Sequence, residues 1–168
     1  MSAPKLNFSP SANQSVVTAR TLNVIAQLLQ RAACPSCTIT STIRTPAEQA
    51  RAMYKNIQTL GVTSQLALYA PAGDAVINEF VKAKKAGLAP NSIIAAMTAK
   101  IVEMGPERVS LHCADPAQLN VVDIAPSSIV DPGAFLAAIR EAYSAGTIKR
   151  FFTPGDHDPA FHIEVPQT

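Results

Sequence analysis

The chain has 168 residues, of which 48% are hydrophobic and 15% are charged, and this composition is typical of a folded domain rather than a disordered chain. The net charge is +2 without a long run of one sign, and aromatic residues make up only 5%, so nucleic-acid binding is not expected. No apolar run approaches the roughly 20 residues of a membrane span, and the start of the chain does not resemble a Sec signal. We expect one domain over residues 1–168.

The N-terminal part of the chain predicts one helix and one strand after a loose beginning. Residues 1–13 are rich in Ser, Pro, Ala and Asn, and we expect them to be loosely held. Apolar residues recur at helical spacing over residues 15–33, which predicts the first helix. The β-branched alternation of residues 38–43 predicts a short strand, with Arg44 at its end.

The middle of the chain is predicted to be helical. Thr45, Pro46 and Glu48 form an N-cap, a first-turn proline and a capping-box acid, and they predict a second helix that ends near Gly61. Glycine and proline separate and end two further helical patterns. These predicted helices cover residues 74–86 and 91–104.

The last third of the chain changes to short β segments. It contains one further predicted helix, over residues 131–145. The predicted strands cover residues 108–112, 119–124, 148–153 and 160–165. The sequence therefore predicts an α+β fold, in which a small antiparallel sheet carries the site and packs with several helices, with a helical insertion in the middle.

All three histidines lie in this last third, at positions 112, 157 and 162. His112 ends one predicted strand, Asp123 lies near the end of the next, and His162 lies in the last. Adjacent strands would bring two imidazoles and one carboxylate together. Three such ligands are typical of a catalytic zinc site, whose fourth position is left to water.

These residues resemble the paired motifs of a known enzyme family. Ser110, His112 and Asp123 in SLHCADPAQLNVVDI, with His162 in FHIEV, are similar to the motifs of zinc D-alanyl-D-alanine peptidases. That family is related to murein endopeptidases, phage endolysins and the Hedgehog signalling domain. The segment STIRTPAEQ, residues 41–49, resembles the family's strand, arginine and helix-start element, and the order of all three motifs agrees.

The resemblance implies that His112, Asp123 and His162 hold Zn²⁺. No glycine follows His112, and its separation from Asp123 is longer than the family's, so Asp115 competes as the oxygen ligand. Asp123 is preferred because it ends the β-branched strand NVVDI, whereas Asp115 lies in a proline-containing loop. Glu164 lies on the same strand face as His162, either as a partner of that ligand or as an acid of the pocket.

The resemblance also implies substrate-binding residues in the first motif. Arg44 would face the substrate, where a guanidinium can bind a peptide carbonyl, a carboxylate or a developing oxyanion. Gln49, one helical turn further on, would support Arg44, and Ser41 belongs to the same substrate-binding group.

The general base is displaced from the family's pattern. Many relatives carry an acid three residues before the last histidine, where this chain has Pro159. Asp158 is our first candidate for the base and Asp156 the second, while His157 between them would help Arg44 to steady the substrate. The alternative is that both aspartates only stabilise a turn in TPGDHDPA.

The three cysteines suggest no catalytic role. Cys34 and Cys37 in CPSC are interpreted as a disulfide or as two buried thiols, because a thioredoxin-like motif would follow a strand and start a helix. Cys113 lies beside His112, but neighbouring strand residues point to opposite faces, so a cysteine nucleophile is not favoured.

The expected function is zinc-dependent hydrolysis of peptide bonds in bacterial peptidoglycan, at bonds that involve D-amino acids. The enzyme would be a lysin or a secreted antibacterial effector, with secretion machinery or an immunity protein as further partners. It would be made in the cytoplasm and act in the periplasm or cell wall after export or lysis. The alternatives are a noncatalytic module that binds peptidoglycan or peptide, and a cytosolic zinc dipeptidase.

Overall fold

The computed structural model describes residues 3–168, and the chain divides into two compact units. The sheet unit consists of Met1–Ile43, as far as it is described, together with Asp115–Thr168. The helical unit is Arg44–Ala114. The α+β class and the helical insertion in the middle are both confirmed. Each unit has its own hydrophobic core.

The sheet unit contains five strands and two helices within the described residues: β1 Lys5–Phe8, α1 Ala19–Arg31, β2 Ser36–Ser41, β3 Leu119–Ile124, α7 Pro132–Ser144, β4 Arg150–Phe152 and β5 Phe161–Pro166. The helical unit contains α2 Pro46–Leu60, α3 Val62–Leu68, α4 Pro71–Lys85, α5 Pro90–Met104 and α6 Pro106–Val109. No helix among residues 3–168 combines the length and the hydrophobicity that crossing a bilayer requires.

The sheet has the strand order β1-β2-β3-β5-β4. It is mixed rather than purely antiparallel, because β1 runs parallel to β2 while the other neighbours are antiparallel. Val122 and Ile163 point to one face, where they share a core with Ile25 of α1 and Phe135 of α7. Since side chains alternate along a strand, Asp123 and its neighbours on β5 point to the opposite face.

The helical unit begins as the sequence predicts. The Thr45 side chain accepts a hydrogen bond from the Glu48 backbone and the Glu48 carboxylate accepts one from the Thr45 backbone, which confirms the capping box. This reciprocal pair satisfies two amides at the start of α2. The helices enclose a core of aliphatic and aromatic side chains that includes Met53, Phe80 and Met97.

Three predictions of secondary structure are wrong. Lys5–Phe8 was expected to be loose, but it pairs with β2 as a parallel edge strand. Helix α3 was not predicted. The predicted strand over residues 108–112 is instead α6 followed by a 3-10 turn at Leu111–Cys113, because Pro106 starts a helix and the Ser110 side chain caps the turn by accepting from the His112 backbone. The other predicted elements are present within a few residues of their expected bounds.

Candidate functional site

The strand register lines up four residues across the sheet. Ser41 of β2 lies opposite Asp123 of β3, which lies opposite His162 of β5, and His162 lies opposite Phe152 of β4. Residues directly opposite one another share a face, so Asp123, His162 and Phe152 lie on the face away from α1 and α7. Ser41 joins the row after a register shift in β2 between Ile39 and Ser41. The row brings Asp123 and His162 together, as the sequence predicts, and places Ser41 beside Asp123.

Asp123 and His162 form a buried pair. Nδ1 of His162 lies 3.0 Å from Oδ1 of Asp123, and each residue is 7% exposed. Two ligand atoms that share a tetrahedral zinc ion at about 2.0–2.1 Å lie roughly 3.3 Å apart. The observed spacing therefore suits two ligands of one metal ion after a small opening of the pair.

Glu164 occupies the other side of the His162 ring, which confirms that both side chains lie on one strand face. Nε2 of His162 lies 3.3 Å from Oε1 of Glu164, and Nε and Nη2 of Arg150 each donate to the same oxygen over 2.8 Å. Glu164 is completely buried. Burial alone would raise the pKa of Glu164, but the hydrogen bonds with His162 and Arg150 outweigh it and lower that pKa.

The two carboxylates also control the charge of His162. Burial disfavours the charged ring, but the hydrogen bonds to Asp123 and Glu164 outweigh burial and raise the pKa of His162 to about 9. In the metal-free protein the ring therefore carries a proton at neutral pH. A metal ion that binds His162 has to displace this proton.

Strand β4 supplies two contacts that the sequence analysis missed. The Phe152 ring packs against His162 with 5.6 Å between the ring centroids, and the Arg150 guanidinium lies 5.2 Å from the Phe152 centroid. The available signal was the alternation in RFF, which places Arg150 and Phe152 on one face of the predicted strand. Their partners depend on the pairing of β4 with β5, and pairing cannot be read from the alternation.

The three candidates for proton transfer or substrate contact occupy different settings. The Asp156 carboxylate accepts from the backbone and hydroxyl of Thr153 at 3.0 and 2.8 Å, which is a capping role. His157 is exposed and has a left-handed backbone with φ of 67°. Asp158 accepts from the Ala160 backbone at 2.9 Å, and its charge contributes to the raised pKa of His162.

The helical unit holds the predicted arginine and glutamine in contact. Nη1 of Arg44 donates to Oε1 of Gln49 over 3.1 Å, and Nε2 of Gln49 donates to the Tyr69 hydroxyl over 3.1 Å. Gln49 is completely buried, so its two hydrogen bonds fix the orientation of its amide. Tyr69 was missed because it lies on the boundary of the helix that was not predicted.

His112 lies in the same unit, on the 3-10 turn. Its side chain is buried, and its carbonyl accepts from the Arg44 backbone over 2.8 Å. The rival oxygen ligand Asp115 is exposed in the sheet unit and accepts from the Ala117 backbone at 2.9 Å. Asp115 thus stabilises a turn, whereas the Asp123 carboxylate contacts the imidazole of His162.

The cysteines have the properties of unreactive thiols. Cys34 and Cys37 are buried free thiols, which corresponds to the second of the two predicted states. Burial, with a smaller contribution from Cys34, raises the pKa of Cys37 to about 12. Burial also raises the pKa of Cys113 to about 11. A thiol with so high a pKa is a poor nucleophile at neutral pH. The reason given from the sequence, that neighbouring strand residues point to opposite faces, does not apply to Cys113, because this residue lies in a 3-10 turn.

Comparisons of the chain with protein-family models, with curated proteins and with solved structures found no match. The resemblance to zinc peptidases therefore rests on the sequence motifs alone. Asp123 and His162 form a hydrogen-bonded ion pair, and the same two side chains offer ligand atoms that a metal ion can use.

Proposed function

We propose that the protein is a zinc-dependent peptidase that hydrolyses peptide bonds of bacterial peptidoglycan, with His112, Asp123 and His162 as the zinc ligands. The observation that supports it most directly is the buried pair of Asp123 and His162, whose facing atoms are spaced like two ligands of one ion. His112 would be the third ligand. All three residues are buried, and each offers one ligand atom.

The ligand set suits hydrolysis. Zinc held by His112, Asp123 and His162 would supply Lewis acidity and would activate a water for attack on the peptide carbonyl. Asp158 would take a proton from that water and return it to the leaving amine. Arg44, oriented by Gln49, would bind a carboxylate or carbonyl oxygen of the substrate.

The choice of peptidoglycan as substrate is supported by the sequence motifs. They favour a peptide bond next to a D-amino acid, and they favour a lysin or an antibacterial effector that reaches the wall by lysis or through secretion machinery. An effector of this kind would need an immunity protein in the producing cell. Turnover of free dipeptides without cleavage of intact murein would instead favour a cytosolic dipeptidase.

The test is incubation of the purified protein with muropeptides, followed by detection of new amino groups. We expect cleavage that a chelator abolishes and added zinc restores. Asp158→Asn should retain zinc and lose roughly 100-fold or more of the cleavage rate, because an amide cannot accept the proton. The matched control is Glu103→Gln, an acid-to-amide change at an exposed ion pair with Lys100, and it should cleave like the wild type. Cleavage that survives complete removal of zinc would refute the proposal.

One observation favours a second candidate, a noncatalytic module that binds peptidoglycan peptides. Pro159 stands where relatives carry the base, and the Asp156 carboxylate is occupied by its cap on Thr153. If neither aspartate transfers a proton, the site can still bind a peptide. Retention of muropeptides by zinc-loaded protein without any new amine would support this candidate.

A further inference from the structure

The surroundings of His162 indicate which of its ring nitrogens would bind the metal, an inference that rests on the proposed zinc site. The strand register puts a carboxylate at each nitrogen. Asp123, opposite His162 on β3, faces Nδ1 at 3.0 Å, and Glu164, two residues along β5, faces Nε2 at 3.3 Å. Only one nitrogen can bind the metal, so the two carboxylates must have different roles.

Glu164 is held in place independently of any metal. Its Oε1 accepts from Nε and Nη2 of Arg150, which lies directly opposite Glu164 in the pairing of β4 with β5. The Arg150 guanidinium is itself placed over the ring of Phe152. Because Oε1 of this buried carboxylate already accepts from a guanidinium, the carboxylate is held as an acceptor for the neighbouring ring N–H.

The same arginine disfavours a metal ion at Nε2. An ion there would lie next to Oε1 of Glu164, and that oxygen is only 2.8 Å from two nitrogens of a guanidinium. Two cations on one carboxylate oxygen repel each other, and Glu164 itself is completely buried. At Nδ1 the ion would instead replace the contact with Asp123, which is itself a proposed ligand.

We propose that Glu164 is a positioning residue that accepts the Nε2 proton of His162 and thereby leaves Nδ1 to bind zinc together with Asp123. Histidine ligands usually donate their other ring N–H to a carboxylate or carbonyl, and this partner fixes the tautomer and the ring orientation. Glu164 fulfils that role here, with Arg150 fixing Glu164 in turn.

The direct test needs no variant of Glu164. Long-range proton–nitrogen correlation spectra of zinc-loaded protein, labelled with ¹⁵N at histidine, distinguish a metal-bound ring nitrogen from an N–H. The His162 signals are assigned from their loss in His162→Gln. We expect the wild type to show a metal-bound Nδ1 and a protonated Nε2. A metal-bound Nε2 would overturn the inference while leaving zinc binding intact.

A second measurement compares zinc affinities by competition with a chelating dye. Glu164 also strengthens the binding of the competing proton, so the affinities are measured over a pH series and corrected for the proton that zinc displaces from His162. The corrected affinity of Glu164→Gln should be about 10–100-fold weaker than that of the wild type, because losing the carboxylate's charge weakens the ligand that it orients. The matched control is Glu141→Gln, which removes an exposed carboxylate paired with Arg31 in the same unit and should leave the affinity unchanged. Equal affinity of Glu164→Gln and the wild type would overturn the inference alone. A wild type that binds no zinc would overturn the proposed function as well.

Discussion

The properties of His162 follow from the two carboxylates that flank it. Their hydrogen bonds with the ring overcome the cost of burying it, which is why the pKa of His162 is raised rather than lowered. Zinc and a proton then compete for one side chain. Because binding displaces the proton, zinc affinity should increase as the pH rises toward the pKa of the ring.

The raised pKa also makes the stability of the metal-free protein depend on pH. The pKa of His162 is about 9 in the folded protein against 6.5 for an unperturbed histidine. Its contribution to the free energy of unfolding is therefore complete below pH 6.5 and is lost as the pH rises through 9, with a full size of about 3 kcal/mol.

Urea unfolding of chelator-treated wild type and His162→Gln at pH 6.5 and at pH 10 measures this contribution. The difference in stability between the two proteins should be larger at pH 6.5, because groups common to both cancel. His157→Asn is the control, since asparagine tolerates the left-handed backbone of that exposed histidine and should retain the wild-type pH dependence. An equal difference at both pH values would contradict the assigned ion pairs.

For single residues, the sequence predicted the pair of Asp123 and His162 but not the side chains that surround this pair. Asp123 and His162 could be predicted because each lies in a short segment whose alternation marks a strand. Arg150 could not, because a single arginine in a strand is ordinarily a solvated side chain. Its role depends on lying opposite Glu164, and that pairing is a long-range property.

Among the elements, the junction between α3 and α4 positions the hydrogen bonds that orient Arg44. The Tyr69 ring packs directly against the backbone of α4 at Gly73, where a larger residue has no room for its side chain. A Cβ at Gly73 would lie 2.7 Å from both Cβ and Cγ of Tyr69. The glycine is therefore required by the close approach of the ring whose hydroxyl accepts from Gln49.

Replacing Gly73 by alanine tests two opposing effects. Helix propensity would favour alanine by about 1 kcal/mol, whereas the steric conflict costs about 1–3 kcal/mol because it involves atoms close to the Tyr69 backbone. We expect a net loss of about 1 kcal/mol in urea unfolding. Gly133→Ala in α7 is the control, because its nearest new contact is an ordinary 3.4 Å and no loss is expected. A Gly73→Ala protein more stable than the wild type would show that Tyr69 is not fixed as described.

Helices and strands whose sequence pattern lies within a few consecutive residues could be predicted, whereas elements that depend on a distant partner could not. The capping box of α2 is complete within Thr45–Glu48, so its sequence alone identifies the helix start. Strand β1 is different, because its partner β2 lies about thirty residues away and its own composition favours a loose segment. The turn at His112 was misread because an alternating segment followed a proline that starts a helix.

For the whole molecule, the arrangement along the chain explains why the fold class was predictable. The helical unit is inserted between β2 and β3, so the helical pattern and the strand pattern occupy separate stretches of sequence. Each unit has its own core, and the spacing of apolar residues in the sequence of a unit predicts which of its residues form that core. The proposed zinc ligands, in contrast, lie far apart in the sequence, and no local pattern predicts their combination.

The most direct test of the proposed metal centre is the zinc content of protein that has never carried a histidine tag, measured by mass spectrometry after dialysis. We predict one zinc per chain in the wild type and in His157→Ala, and less than a tenth of that in His112→Ala and His162→Ala. A wild type without bound zinc, or full zinc content in both His112→Ala and His162→Ala, would contradict it.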